Sequence, residues 1–379
     1  MKKLFLFSVA ALAFCACSSD EVVSENSAAN QQPKQISFTP LNKVNTRAAV
    51  HGTTFPDQDM YVAAYMAAPN ASNYFEKTAF KKNYQGGTSS ASVNIWGGDP
   101  ARYWPLSPAT INFLAVTGAS VNANHFTFSA TNYANSVAVA YTIGNGYSAT
   151  TQSDIMYAVG QGTVTQSNNT LAFAGGGTGE NIGMTFYHAL ALLNFQVKAY
   201  STTEVNKIVV NSITVNGASY TGNLTVTNAN YAATDGSAKT RPTITWAPSP
   251  AVAATVAGTS SCAFPYTVVN KDDYYPGNSV DPLTWWNIMI VPSDTKATVT
   301  NRGFRSFTIN YTVKGNTGQA DQTYNYTYYP SGNTSTDTNV DEGKIYTYKI
   351  NFRLHEIRIE PSVTDWVATS PAINPIDVQ

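Results

Sequence analysis

The residues of this chain that could do chemistry are few and scattered. Cys17 follows Ala16 at the end of the largely apolar run Leu4–Phe14, itself preceded by Lys2 and Lys3. A positive start, a short apolar stretch and a small residue before a cysteine form a secretory signal ending in a lipobox, which predicts cleavage after residue 16 and acylation of Cys17. Cys15 competes for that role, but it would put the bulky Phe14 at −1, where a small residue is needed. An ordinary cleaved signal with incidental cysteines is the plainer alternative. A second candidate is the step Arg47–Ala48, where a lone arginine precedes two alanines and follows the strand-like "ISFTP". Ile36 and Phe38 alternate there with polar neighbours, as a half-buried strand requires.

Other constellations fall short of their chemistry. "HEIRI" (His355–Ile359) opens like a zinc-binding HExxH, but Ile359 stands where the second histidine belongs. "GTSSC" (Gly258–Cys262) lacks the second glycine of a nucleophile elbow. The glycine run "AGGGTGEN" (Ala174–Asn181) has no Gly-Lys-Ser/Thr opening a helix, so it reads as a linker or turn and not a phosphate cradle. "DDYYPGNSVDPLTWWN" (Asp272–Asn287) carries Tyr274, Tyr275, Trp285 and Trp286. These could stack on sugar rings, although neighbouring strand residues face opposite ways and one Trp of the pair then belongs to a core. No metal, cofactor or catalytic set is expected.

The elements that must position these residues are strands. Tyr346, Tyr348, Ile350, Phe352 and Leu354 fall on every second position, as do Phe307, Ile309, Tyr311 and Val313. Leu193, Phe195 and Val197 repeat the pattern, followed by Trp286, Ile288 and Ile290. Clusters such as "GNGY", "YYPGN" and "PSGNTST" separate the runs. Helical periodicity is almost absent, so the chain is expected to be all-β and built of sandwiches. Charged residues are 12% of the chain and the net charge is −1, with no basic stripe, which argues against nucleic acid as a partner. With Cys17 acylated, Cys262 is the remaining thiol, so no internal disulfide is expected and the core must supply the stability.

These observations divide the chain. Residues 1–16 form the signal and 17–35, rich in Ser, Asn and Gln, a flexible tether. Residues 36–173 form a first sandwich, 174–181 a linker and 182–379 a second sandwich. The acidic "SSDE" after Cys17 resembles a surface-export signal of Bacteroidetes lipoproteins.

Several landmarks then occur in one order: the lipobox, "ISF", "TRA", "DQDMYVAAYMAAP", "YWPLSPATINFLAV", "QSDIMYAVG", "MTFYHALALLNFQVKA", "NIMIVP", "EGKIYTYKINF" and "IEPSVTDW". Together they resemble the fimbrillin family of Bacteroidales, the subunits of type V pili and their relatives. The resemblance implies two tandem transthyretin-like β-sandwiches and a surface pilus subunit or adhesin that is not an enzyme. It implies partners in other pilin subunits and the outer membrane, with a host or bacterial surface ligand as a further partner. It also implies that residues 36–47 are a removable first strand whose Ile36 and Phe38 fill a groove until an arginine-specific protease cuts between Arg47 and Ala48. The alternative for the arginine is an uncut, solvated turn. His188, within the family-like strand, reads as a packed residue and not a ligand. In stalk subunits the C-terminal segment donates the inserted strand; here Pro371 and Pro375 interrupt "VATSPAINPIDVQ", which favours a tip, anchor or accessory role. A monomeric glycan-binding surface lipoprotein is the competing class.

Overall fold

The computed structural model describes residues 33–40, 59–67, 72–82, 84–85, 88–89, 95–118, 127–132, 136–142, 154–167, 170–175, 181–227, 243–248, 252–256, 263–276, 286–292, 303–332, 334, 337–353 and 356–365. The protein is all-β, with no helix among the described residues. Its strands are β1 (Ser37–Pro40), β2 (Met60–Met66), β3 (Ser72–Lys82), β4 (Tyr84–Gln85), β5 (Thr88–Ser89), β6 (Trp96–Asp99), β7 (Ala109–Thr117) and β8 (Thr127–Asn132). There follow β9 (Ser136–Thr142), β10 (Met156–Ser167), β11 (Thr170–Ala174), β12 (Ile182–His188), β13 (Ala191–Ala199), β14 (Ile208–Ala218), β15 (Thr221–Thr227) and β16 (Thr243–Pro248). The last are β17 (Val252–Thr255), β18 (Tyr266–Thr267), β19 (Trp286–Ile290), β20 (Ser306–Val313), β21 (Gln322–Tyr328), β22 (Lys344–Arg353) and β23 (Glu356–Asp365).

The first large sheet runs β11-β10-β12-β1-β6-β3-β2-β7, and β7 pairs back onto β10. The path β10-β12-β1-β6-β3-β2-β7 is therefore a closed ring, with β11 attached to the far end of β10. Alternate residues of its strands fill the interior: Met60, Val62 and Ala64 from β2, Ile111, Phe113 and Ala115 from β7, and Met156 and Ala158 from β10. The intervening residues Tyr61, Ala63, Tyr65, Leu114, Val116, Tyr157 and Val159 face the other way, into a second core. Strands buried on both faces need apolar residues at both parities, which is why these segments read as unbroken apolar runs.

That second core is continuous with the rest of the chain. Sheet β19-β13-β22-β23 packs on sheet β17-β14-β20-β21, with Phe195 against Phe307 at 4.9 Å and Tyr311 against Phe352 at 5.3 Å between ring centroids. A further sheet, β16-β15-β9-β8, joins strands from both halves of the sequence, since β9 pairs with β15. The linker read at 174–181 is followed by β12, which pairs with β10 and β1 inside the first sheet. The chain instead leaves that sheet at Ala189–Leu190. There Ala189 N–H donates to Ile155 O at 2.8 Å, Trp246 Nε1 donates to Ala189 O at 2.9 Å, and Gly343 N–H donates to Leu190 O at 2.8 Å.

Close packing inside the ring depends on a glycine. A Cβ placed at Gly162 would lie 2.2 Å from Cη2 of Trp104, a side chain 2% exposed and held against Phe113 and Phe173. The indole cannot swing aside within that packing. We expect Gly162→Ala to destabilise the fold by roughly 1–3 kcal/mol, the range of overpacked cores. Urea unfolding followed by tryptophan fluorescence measures this.

Candidate functional site: the slot around the first strand

β1 is a strand of four residues, Ser37–Pro40, gripped on both sides. On one side it runs parallel to β12, with Phe38 opposite Ile182 and Thr39 opposite Gly183. On the other it runs antiparallel to β6, with Phe38 opposite Trp96. The clamp continues ahead of β1, where Ile36 N–H donates to Arg102 O at 2.7 Å and Trp104 N–H donates to Lys34 O at 2.8 Å. The Ser37 hydroxyl donates to the Asn181 side-chain oxygen, tying β1 to the residue ahead of β12.

The side chains follow the strand period. Ile36 and Phe38 are 0% exposed and point into the first core, while Gln35, Ser37 and Thr39 are only partly buried. The Phe38 ring meets Phe80 edge-on at 4.7 Å and Phe113 at 5.3 Å. Such pairs add about 0.5–1.5 kcal/mol beyond the burial of their area. The slot around Ile36 and Phe38 is thus lined by aromatic and aliphatic groups along its floor and by hydrogen-bonding backbone along both walls. It can bind an extended segment with apolar residues at alternate positions, the ordinary chemistry of β-strand addition.

Cys17, Arg47 and Ala48 lie outside the described residues, as do Cys262, His355, Trp285, Pro371 and Pro375. Among the described residues no group of three or more His, Cys, Asp or Glu side chains could hold a metal ion. Of the aromatics weighed for sugar stacking, Trp286 is fully buried beneath Phe264, with ring centroids 4.4 Å apart, and Tyr275 stacks on Tyr266 at 4.6 Å. Tyr274 lies under the ammonium groups of Lys198 and Lys349, 4.5 and 5.3 Å from its ring centre, and donates to Glu360 Oε2 at 3.3 Å. Burial, with the Glu360 charge adding to it, holds the Tyr274 phenol well above its ordinary pKa.

His188 is buried, and its Nδ1 lies 2.8 Å from Asp154 Oδ2. Burial pushes the Asp154 carboxyl above the usual carboxylate range, and His188 opposes that rise. The pair sits one residue before the Ala189 junction. The contact was not legible in the sequence, where 34 residues separate the partners. Trp104 and Trp96 also line the first core without having been singled out; the "YWP" landmark was the available signal for Trp104.

The fold and the slot define an all-β protein in which an N-terminal strand completes a closed sheet. The chain belongs to the fimbrillin-like family, whose model matches residues 46–366, so β1 lies ahead of the matched stretch. No curated protein matches it. Among solved structures, a fimbrial protein from Bacteroides vulgatus is similar at 12% identity and TM-score 0.47, over 88% of this chain and 99% of that one. A fimbrial assembly protein from Parabacteroides distasonis is similar at 11% identity and TM-score 0.38, over 88% and 99%. Membership rests on the family match.

Two outcomes are expected. Phe38→Ala removes a ring from a slot with no room to collapse and lowers stability by about 3–5 kcal/mol, measured by denaturant unfolding. His188→Ala leaves the buried Asp154 carboxyl without its partner and is expected to lower stability by about 1–3 kcal/mol at neutral pH. A carboxyl whose folded pKa is raised stabilises below its unfolded value and loses that contribution as pH rises through the folded one. The His188→Ala deficit should therefore shrink as pH falls toward 4, read from the unfolding midpoint across a pH series.

Proposed function

We propose that this protein is a fimbrial subunit or an accessory tip or anchor protein of a type V pilus, delivered to the outer surface as a lipoprotein acylated at Cys17. In this reading β1 is a temporary occupant of its slot. Cleavage between Arg47 and Ala48 frees it, and a strand of a neighbouring subunit takes its place, building the fimbrium that mediates adhesion.

The observation that carries the reading is the position of β1 as the link between β12 and β6 in the ring. While the chain is intact, β1 is tethered to β2 and held at high effective concentration. Cutting the connection leaves the same contacts but turns release into a bimolecular equilibrium. Loss of β1 then opens two backbone walls at once, and each buried group left unpaired costs about 1–3 kcal/mol. A single incoming strand with apolar residues at alternate positions satisfies both walls and refills the floor, which favours replacement over an empty slot. Membership of the fimbrillin-like family supports the same assignment.

The test is digestion of the purified full chain with an arginine-specific protease. We expect a new N-terminus at Ala48, loss of the segment containing Ile36 and Phe38 on incubation, and growth into oligomers on size-exclusion chromatography. Arg47→Ala should block all three. Surface protein that always begins at Cys17, or cut protein that stays monomeric while retained on polysaccharide gels, would overturn the reading in favour of a standing glycan-binding lipoprotein.

A further inference from the structure

Open sheet edges attract other strands, and folded proteins usually guard them with charge, proline or irregularity. β23, at the end of its sheet, is guarded in this way. It carries Glu356, Arg358, Glu360 and Asp365, and Pro361 removes one donor from its ladder. β21, at the end of the facing sheet, has none of these protections. Its residues are Gln-Thr-Tyr-Asn-Tyr-Thr-Tyr, without charge or proline, and among the described residues it pairs only with β20. Its register with β20 runs unbroken from Phe307–Tyr328 to Val313–Gln322. The turn before it is fixed by Gly315 N–H donating to Asp321 Oδ1 at 2.9 Å, with Gly318 at φ +87°.

The order of these residues is itself informative. Thr323-Tyr324-Asn325-Tyr326-Thr327 reads the same in both directions. An antiparallel neighbour centred on Asn325 would therefore meet like with like: Thr323 opposite the partner's Thr327, Tyr324 opposite the partner's Tyr326, and the two Asn325 residues opposite each other on the axis. The chain already makes this pairing once, internally. In β20, Thr308, Asn310 and Thr312 stand opposite Thr327, Asn325 and Thr323. Their side chains bond across the strands: Thr308 and Thr327 hydroxyls 3.0 Å apart, Asn310 Nδ2 to Asn325 Oδ1 at 2.7 Å, and Thr312 and Thr323 hydroxyls 2.9 Å apart. On the other face Tyr324 stacks on Tyr311 at 5.5 Å yet remains 42% exposed.

We propose that β21 is a self-association edge that pairs antiparallel with β21 of a second copy of this chain. A two-fold axis at Asn325 makes the sheets of the two copies continuous. The match is isologous, so it closes at a dimer and does not run on into a filament. An uncharged edge brings no like charges together across the axis, and hydroxyl and amide pairs of the kind already formed with β20 extend the outer face. This lateral contact uses neither β1 nor its slot.

Sedimentation equilibrium of the full Arg47→Ala chain tests the proposal, because that chain keeps β1 and cannot assemble end to end. A concentration-dependent dimer is expected. Thr323→Lys combined with Thr327→Lys places like charges opposite each other twice across the axis and should weaken the dimer by about tenfold or more. Thr323→Lys combined with Thr327→Glu places opposite charges in both positions, so the dimer should survive and become sensitive to salt. Circular dichroism checks that each variant folds. Should the double lysine variant fail that check, Asn325→Lys, which sets like charges face to face on the axis and removes one exposed amide contact, takes its place. A chain that is monomeric at every accessible concentration, or a dimer that tolerates the like-charge variants unchanged, overturns the proposal. Neither result depends on whether Arg47 is cut.

Discussion

The first sheet closes through one short strand. β1 contributes few residues, but it alone bridges β12 and β6, and it does so with parallel pairing on one side and antiparallel pairing on the other. Each neighbour therefore relies on the same backbone to satisfy its own edge. Closure leaves the ring strands without an open edge, where a sandwich must guard its edges. The interior is arranged to suit: Phe38 sits against Phe80 and Phe113, and Gly160 and Gly162 on β10 leave room for Met184 and Trp104. The strand is held by geometry on every side, yet its covalent link to the ring runs only through the segment that carries Arg47.

The architecture also joins the two cores through shared strands. β2, β7 and β10 present one face to the ring interior and the other to the second core. Tyr61, Tyr65 and Tyr157 on the outer faces share a cluster with Leu224 and Trp246 from strands more than 60 positions later in the chain. The exchange point at Ala189–Leu190 is fixed by backbone bonds to Ile155 and Gly343 and by the Trp246 indole. The His188–Asp154 pair lies beside it, an interaction whose removal by halves is more damaging than its net value suggests.

Much of this was legible in the sequence, for identifiable reasons. The alternation of Ile36 and Phe38 marks a strand with one buried face, and the two-residue periods of the runs that start at Phe307 and Tyr346 mark the strands observed as β20 and β22. Apolar residues at both parities in "MYVAAYM" and "INFLAV" are the signature of strands buried on both sides. The transition between sheets was not legible. "FYHALALLNF" is apolar without interruption from Ala189 to Leu193, and no Gly or Pro marks the place where the chain changes partners, because Ala189 and Leu190 are buried like their neighbours. The glycine run that suggests a boundary at 174–181 includes Gly175, which serves the approach to β12: a Cβ there would lie 2.7 Å from Ile182 Cα. Pairings such as Asp154 with His188, or β9 with β15, join distant segments and leave no local trace.

The parallel alignment of β1 with β12 has a mechanical consequence. β12 runs almost directly into β13, and β13 lies parallel to β22 along Leu192–Ala199. A force drawn along the axis of β1 loads its bonds to β12 together, in shear, instead of unzipping them singly. It then passes through the short Ala189–Leu190 joint into another strand gripped along its length. Whatever strand occupies that slot is seated at the head of a continuous load-bearing line through the molecule.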